Sequence, residues 1–380
     1  MSAKSKSNRG PAPKEPILRI LCGKSAGICE FRGCNERLFY DNVTTAKFNA
    51  AYVAHIIASD PGGPRGHKEL SQKLSDKLEN LMLMCDKHHT LIDDPSTGGK
   101  NFPAELLQDM KREHEENIEQ VCNYLNKQRT EVVNFSSSIK GNQVNIIYDD
   151  TVKAVLPQKQ PTSQYGTIIK INSVFPITEK NHWSDLENKL IFEFNSKVKP
   201  AFDRFNDMHF SIFPLAPMPL IIKLGELFGD KTNVDIYQKT RTPDTWAWQS
   251  GEQTNQFSIS KSIVNNGKDV ALLLSLTDII EECRVTNIIA PNAIYKIIAE
   301  HNGVDCIRSE KDLSAFWHTY QNACNEILNT FGGDSRIHLF SAMPVSAAFE
   351  VGRRRMPGLY PITIIYDDNS GFIPTITIGG

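Results

Sequence analysis

The sequence predicts a two-domain chain of mixed class, a small zinc-stabilised α+β domain followed by a larger α/β domain. Three observations predict it. Paired Cys and His residues with zinc-knuckle spacing lie in residues 17–100, a stretch rich in Gly, Cys, His and Asp with only short apolar runs. After residue 166, helical stretches alternate with β-rich runs, the pattern of an α/β domain around a largely buried sheet. Between them, LPQKQPTSQYG at 156–166 carries two prolines and no apolar periodicity, and reads as a linker. The expected divisions are a flexible basic arm at 1–16, a first domain at 17–130, a connector at 131–164 and a second domain at 165–380.

In chain order, 103–128 reads as a helix, with Pro103 at its entry and Leu106, Leu107, Met110, Ile118, Val121, Cys122 and Leu125 at helical spacing. EVVNFSSSIKGNQVNIIYDD then reads as a short strand pair turning near Gly141. Helices are expected near 181–199 and 310–331, and strands at 168–171, 209–213, 234–237, 270–276, 337–340, 362–366 and 373–378. Open α/β sheets bind ligands at the carboxyl ends of their strands. Two similar α/β halves are possible within 165–380, but no sequence identity between them is visible.

Composition narrows the function. The chain has 380 residues, 40% of them hydrophobic, enough to bury real cores, and no apolar run approaches the ~20 residues of a membrane helix. MSAKSKSNRGPAPKEP lacks an apolar segment and is not a secretory signal. The net charge of −2 hides an asymmetry: residues 1–40 hold eight Lys/Arg against three acids, a patch that favours a polyanion such as nucleic acid. Eight cysteines are too few for a disulfide scaffold. With no export signal a reducing cytoplasm is expected, where clustered Cys points to metal.

Four residues have zinc spacing. Cys29-x4-Cys34 forms one knuckle and Cys85-x2-His88 the other, and two such pairs make a closed tetrahedral site. A second set is interleaved. His55 lies in AAYVAHIIA, an alternating apolar run that reads as a strand, and Asn80 lies in LENLMLMC. His89 follows His88 directly, and Asp93 stands four residues on, on the same face of a helix. A strand His can take a proton from an attacking water, while a His-x3-Asp pair holds a divalent cation beside a scissile phosphate.

At these residues the chain resembles the HNH endonucleases of the ββα-metal fold, over about residues 22–120. The contexts AHI, LENLMLMC and CDKHHTLID carry the resemblance, with GGPRG at 62–66 and the later KREHEENI. The resemblance implies that His55 is the general base, Asn80 orients it and its loop, and His89 binds the catalytic Mg²⁺ or Mn²⁺. The family often has a metal ligand just before the base. Here that position is Ala54, which makes Asp93 the expected replacement, ahead of Asp60 and Asp94. Arg65, His67, Lys68 and Lys73 are candidate phosphate contacts.

In the second domain, TRTPDTWAWQS sets Trp246 and Trp248 on one side of an extended segment, an arrangement suited to stacking bases. VALLLSLTD ends an apolar strand in Ser275, Thr277 and Asp278. RIHLFSAMPVSAAFEVGRRR reads as strand, loop and helix. Its loop at 342–346 presents a helix N-terminus to phosphate, with Arg353, Arg354 and Arg355 to follow. LLLSLTD, FWHTYQNACNEIL, IHLFSAMPVSAAFEVGR and YPITIIYD together resemble the SAVED domain, two fused CARF-like units that sense cyclic oligonucleotides. The expected ligand contacts are Trp246, Trp248, Ser275, Thr277, Pro344, Val345, Ser346 and Arg353.

The combination resembles the HNH–SAVED effectors of CBASS antiphage defence. It implies a cytoplasmic double-stranded DNA endonuclease with structural Zn²⁺ and catalytic Mg²⁺, switched on by a cyclic dinucleotide or close relative that promotes homo-oligomer assembly, with no membrane partner. The alternatives are a modification-dependent restriction enzyme, whose Trp pair cages a flipped base, and a zinc-stabilised DNA-binding regulator without cleavage.

Overall fold

The protein is described from a computed structural model that covers residues 9–379, apart from 42, 43, 45, 125, 126, 157, 205, 206, 250–253, 266 and 357. The chain divides into two compact units, Met1–Asn126 and Lys127–Gly380.

In the first unit, α1 (Glu15–Lys24) begins at a proline and buries Leu21. Strand β1 (Tyr52–His55), the short α2 (Leu70–Leu74) and β2 (Leu81–Met84) follow, the two strands pairing antiparallel with His55 opposite Leu81. Every residue of β2 is buried. Helix α3 (Asp86–Ile92) leaves β2 directly, and after the one-turn α4 (Gly98–Asn101) the long α5 (Ala104–Tyr124) closes the unit. The core is small, and Cys29 and Cys85 are part of it beside Leu21, Leu38, Ile56, Ile92 and Leu107.

Two expectations change here. Of the arm at 1–16, residues 1–8 lie outside the described residues, but the next ones are held: Gly10 N–H donates to Ser59 O at 3.0 Å, and Ser75 Oγ donates to the Pro11 carbonyl at 2.9 Å. Much of the local positive charge is also answered within the unit. Arg19 pairs with Glu15 at 2.6 Å, while Lys24 and Arg32 pair with Glu115 and Glu113 of α5 at 2.8 Å.

The second unit holds two parallel-core sheets. The first contains β3 (Gln128–Ser137), β4 (Lys159–Pro161), β5 (Thr167–Ile171), β6 (His209–Leu215) and β7 (Asn233–Ile236). Its strands are all parallel, with β4 and β5 on one side of β3 and β6 then β7 on the other. Helices α6 (Tyr148–Val155), α7 (His182–Glu193), α8 (Lys199–Arg204) and α9 (Met218–Phe228) connect them. A small hairpin, β8 (Thr240–Arg241) and β9 (Asp244–Thr245), precedes the second sheet.

That sheet has the order β10 (Phe257–Ile263), β12 (Ala293–Ala299), β11 (Asp269–Ser275), β13 (Arg336–Ala342), β14 (Ile362–Asp368), β15 (Phe372–Ile378). Its four inner strands are parallel and its two outer ones antiparallel. Helices α10 (Glu282–Thr286), α11 (Glu310–Phe331) and α12 (Val345–Arg353) complete it. Strand β11 is buried along six of its seven residues and therefore reads as an unbroken apolar run, VALLL.

The connector expected at 131–164 is instead part of the first sheet. Strand β3 is its central member, β4 comes from the supposed linker, and the second apolar run of the expected strand pair enters α6. The partners of β3 are distant parallel strands, and parallel pairing needs long crossovers that leave no hairpin signature in the sequence.

The two halves repeat with a displacement of 127 residues, 217–225 onto 344–352, each running from a proline to a glycine. Phe213 stacks on Tyr237 at 4.4 Å and its counterpart Phe340 stacks on Tyr366 at 4.3 Å. Helices α9 and α12 meet backbone to backbone. A Cβ on Gly225 would lie 2.1 Å from the Phe349 carbonyl oxygen, and one on Gly352 1.8 Å from that of Ile222. Matching residues exchange matching contacts, which is a local two-fold.

Candidate functional site

In the first unit Cys29, Cys34, Cys85 and His88 bring their ligand atoms within 4.8 Å of one another. His88 Nδ1 lies 3.1 Å from Cys85 Sγ and 3.8 Å from Cys29 Sγ. A zinc tetrahedron with Zn–S of about 2.3 Å has edges of about 3.8 Å. The donors fit in kind as well. Burial first, and the neighbouring Cys85 and Cys34 thiols after it, push the Cys29 thiol up to about 12, so thiolates there require a cation among them. Burial lowers His88, which keeps the imidazole neutral, and Phe31 stacks flat against its ring at 4.1 Å.

His55 ends β1 with Nε2 3.0 Å from the Ser75 carbonyl. A carbonyl only accepts, so Nε2 carries the proton and Nδ1 keeps its lone pair. Burial is the main cause of a lowered pKa at His55, which is therefore neutral near pH 7. Asn80 is buried and fully engaged. Its Oδ1 accepts from Ile57 N at 2.8 Å, its Nδ2 donates to Ile57 O at 2.9 Å, and its carbonyl accepts from Ile56 N at 2.9 Å. It thereby fixes the chain just after His55.

His89 sits midway along α3, its ring stacked on Tyr52 at 5.2 Å, with Nε2 3.6 Å from Asp93 Oδ2. Asp93 is not a free ligand, because its Oδ1 accepts from Arg65 Nη2 at 2.8 Å. Among the described residues the Cys3His set is the one group of three or more close metal donors, so His89 and Asp93 are not joined by a third.

Several expected roles are changed by burial or by local hydrogen bonds. The Arg65 side chain is only 3% exposed. It donates to the carbonyls of His55, Ile56 and Ile92 as well as to Asp93, so four of its five N–H groups serve internal acceptors and burial withholds it from a phosphate. His67 Nδ1 accepts from the Glu69 and Leu70 amides at 3.2 Å and so caps α2. Asp94 caps a turn through Ser96 and Thr97, whose bonds hold its carboxyl down at about 2. Asp60 accepts from Gly62 N at 2.9 Å. Lys68 and Lys73 are exposed.

In the second unit the tryptophan pair is split. Trp246 is 2% exposed and meets Phe213 edge-on at 5.3 Å, whereas Trp248 packs against the larger core. Trp246 is therefore a core residue and not a stacking platform. The structure does bring the strand-end residues together. Leu276 and Thr277 both donate to the Ala342 carbonyl, at 2.9 and 2.8 Å, beside Pro344 and Val345. Ser275 Oγ is spent on Ile280 N at 3.1 Å. Ser346 is buried, its N–H on Gln238 Oε1 at 3.1 Å, and its Oγ has no partner among the described residues. Arg353 is at the far end of α12, about 12 Å away along the axis, bound to Glu350. It does not join this group.

Sequence reasoning missed the adjoining cavity of about 890 Å³, whose walls follow the carboxyl ends of β7 and β12 and include Thr240, Gln249, Asn255, His301 and Arg308. Asn255 knits its wall, donating to the carbonyls of His301 and Cys306 at 2.9 and 2.8 Å and accepting from His301 N at 3.1 Å. The wall meets the strand-end group where Gly303 N donates to Leu276 O at 3.1 Å. The S-x-x-D capping box at Ser309, which starts α11, was the available sequence signal.

Residues 193–378 match the family model described as SAVED, "SMODS-associated and fused to various effectors sensor domain". Solved structures of the Cap4 SAVED/CARF-domain containing receptor of Acinetobacter baumannii are also similar. The form with the cyclic trinucleotide 3'3'3'-cAAA is 14% identical, with a TM-score of 0.45, covering 73% of this chain and 61% of that one. The form with 2'3'3'-cAAA is 15% identical, with a TM-score of 0.45 and coverages of 73% and 60%. A third structure of that receptor is 15% identical, with a TM-score of 0.42 and coverages of 73% and 59%. The chain thus spans less than two thirds of the length of each. No curated protein matches the chain.

Proposed function

We propose, from the match of residues 193–378 to the SAVED sensor-domain model, that the chain is a cyclic-oligonucleotide-gated endonuclease of antiphage defence, with an HNH-type site in its first unit that cuts double-stranded DNA. The observation that carries the nuclease half is the His55 imidazole: neutral, its Nε2–H fixed on the Ser75 carbonyl, and Nδ1 left to accept a proton. In that role His55 deprotonates the attacking water, and Asn80 holds the loop that aims it. His89 offers a nitrogen to a divalent cation such as Mg²⁺, which when bound neutralises charge on the phosphate and the leaving oxygen. Asp93, tied to Arg65, orients His89 from one turn away. The Cys3His set takes structural zinc.

The cavity beside the strand-end group is the proposed ligand site. Its size suits a small-molecule ligand, and it lies where α/β sheets bind. A nuclease that destroys its host's DNA needs an off state. Moving 1:99 to 99:1 takes about 5.5 kcal/mol of differential affinity, which several ligands on an oligomer supply jointly. A reader of modified bases is disfavoured because Trp246, one wall of the required cage, is buried in the core.

The test incubates the full chain with plasmid and Mg²⁺, with and without a panel of cyclic di- and trinucleotides. Cleavage is expected only with a panel member, and His55→Ala should lower it by at least a thousandfold. Equal cutting in every tube refutes the gating, and a His55→Ala protein that still cuts refutes the site.

A further inference from the structure

We propose that Arg9 is a DNA backbone-phosphate contact at the His55 site, a role that rests on the nuclease reading above. The segment at 9–11 lies two hydrogen bonds from the imidazole. The Pro11 carbonyl accepts from Ser75 Oγ, and the Ser75 carbonyl accepts from His55 Nε2. Gly10 N–H fixes the same segment to Ser59 O at 3.0 Å. The approach is so close that a Cβ on Gly10 would lie 2.3 Å from Ser75 Oγ and 3.0 Å from Gln72 Cα. The backbone carrying Arg9 is therefore held in place before any DNA arrives.

The charge that it carries is available. The Arg9 side chain is 70% exposed and its ion partner, Asp60, stands off at 3.9 Å while serving Gly62 N. Arg19, Lys24 and Arg32 are by contrast paired at 2.6–2.8 Å, and Arg65 is buried. The Arg9 charge also reaches the His55 imidazole. A guanidinium is the side chain best shaped for a phosphate, since its fork donates two parallel hydrogen bonds. Arg9 thus supplies the cation that Arg65, committed to four internal acceptors, does not.

The test measures binding of the full chain to a 30-base-pair duplex over a salt series without added divalent cation. An equimolar mixture of cyclic di- and trinucleotides of adenine and guanine is present throughout, and cleavage is followed in parallel with Mg²⁺. Arg9→Gln should weaken binding about three- to tenfold and reduce the salt slope by about one. Arg9→Lys should restore the slope, and Arg19→Gln should change neither. Gly10→Val keeps the charge but has no room, and should lose the slope as Arg9→Gln does, with zinc content unchanged. Wild-type affinity and slope in Arg9→Gln overturn the proposal, as does an equal loss in Arg19→Gln. If the wild-type chain cuts while Arg9→Gln binds normally, only the phosphate role falls; if the wild-type chain neither binds nor cuts, the nuclease reading falls with it.

Discussion

Arg65 shows how far a single side chain can sit from the role its sequence context invites. Read in GGPRG, it is a basic residue between two halves of a site; in the fold its guanidinium ties the end of β1 to the end of α3. A lysine at that position carries one nitrogen and cannot span these acceptors. Arg65→Lys should destabilise the first unit by about 2–3 kcal/mol, read by denaturant unfolding; an unchanged midpoint contradicts the tie. His55, Asn80 and His89 were legible as candidates because each residue type suits one task in the proposed chemistry. The tie of Arg65 to Asp93 and to three carbonyls was not, because hydrogen bonds between distant segments leave no local pattern. Asp367 on β14 makes a separate prediction. Burial first, and the neighbouring Asp368 second, push its carboxyl up to about 6. The unfolded chain releases that proton near 3.8, so the folded state holds the extra proton and stability falls as pH rises from about 4 to about 6. The full cost, at most about 3 kcal/mol, is present above pH 6. Asp367→Asn should flatten that slope and raise the melting temperature at pH 7 in a pH series of thermal scans.

Among the elements, the crossing of α9 and α12 is the least forgiving. The atoms that face Gly225 and Gly352 are backbone carbonyl oxygens, which cannot swing aside as a side chain can. Gly352→Ala should cost about 3 kcal/mol or more, and a melting temperature within a degree of wild type would show that the helices separate freely. Strand β12, an inner strand whose apolar run is interrupted by Lys296, was missed, whereas α5, α7 and α11 were legible from apolar spacing and β11, β13 and β14 from their β-rich runs. Strand β4 was not. Three residues that pair with a strand thirty positions earlier, one of them Pro161 at the sheet's edge, look like linker in any window. The repeat was hidden for a related reason: the halves share a proline, a glycine and a Phe–Tyr stack, while the intervening apolar residues differ.

At the scale of the whole chain, the two units hold themselves together by different means. The second buries a large apolar core between two sheets and their helices, while the first counts two thiols among its few core residues. Stripping metal with a chelator should therefore abolish the thermal transition of the first unit and leave that of the second, as read by calorimetry; a trace unaffected by chelation excludes structural zinc. No helix among the described residues is long and apolar enough to cross a membrane. Adjacent histidines on α3 give the zinc set one last consequence. Successive side chains on a helix diverge by about 100°, so clamping the ring at position 88 among sulfurs also dictates where the ring at position 89 aims. An oxidant such as hypochlorite, by oxidising those thiolates, would release the ring at position 88 and so disarm the proposed hydrolytic centre next door without touching its residues.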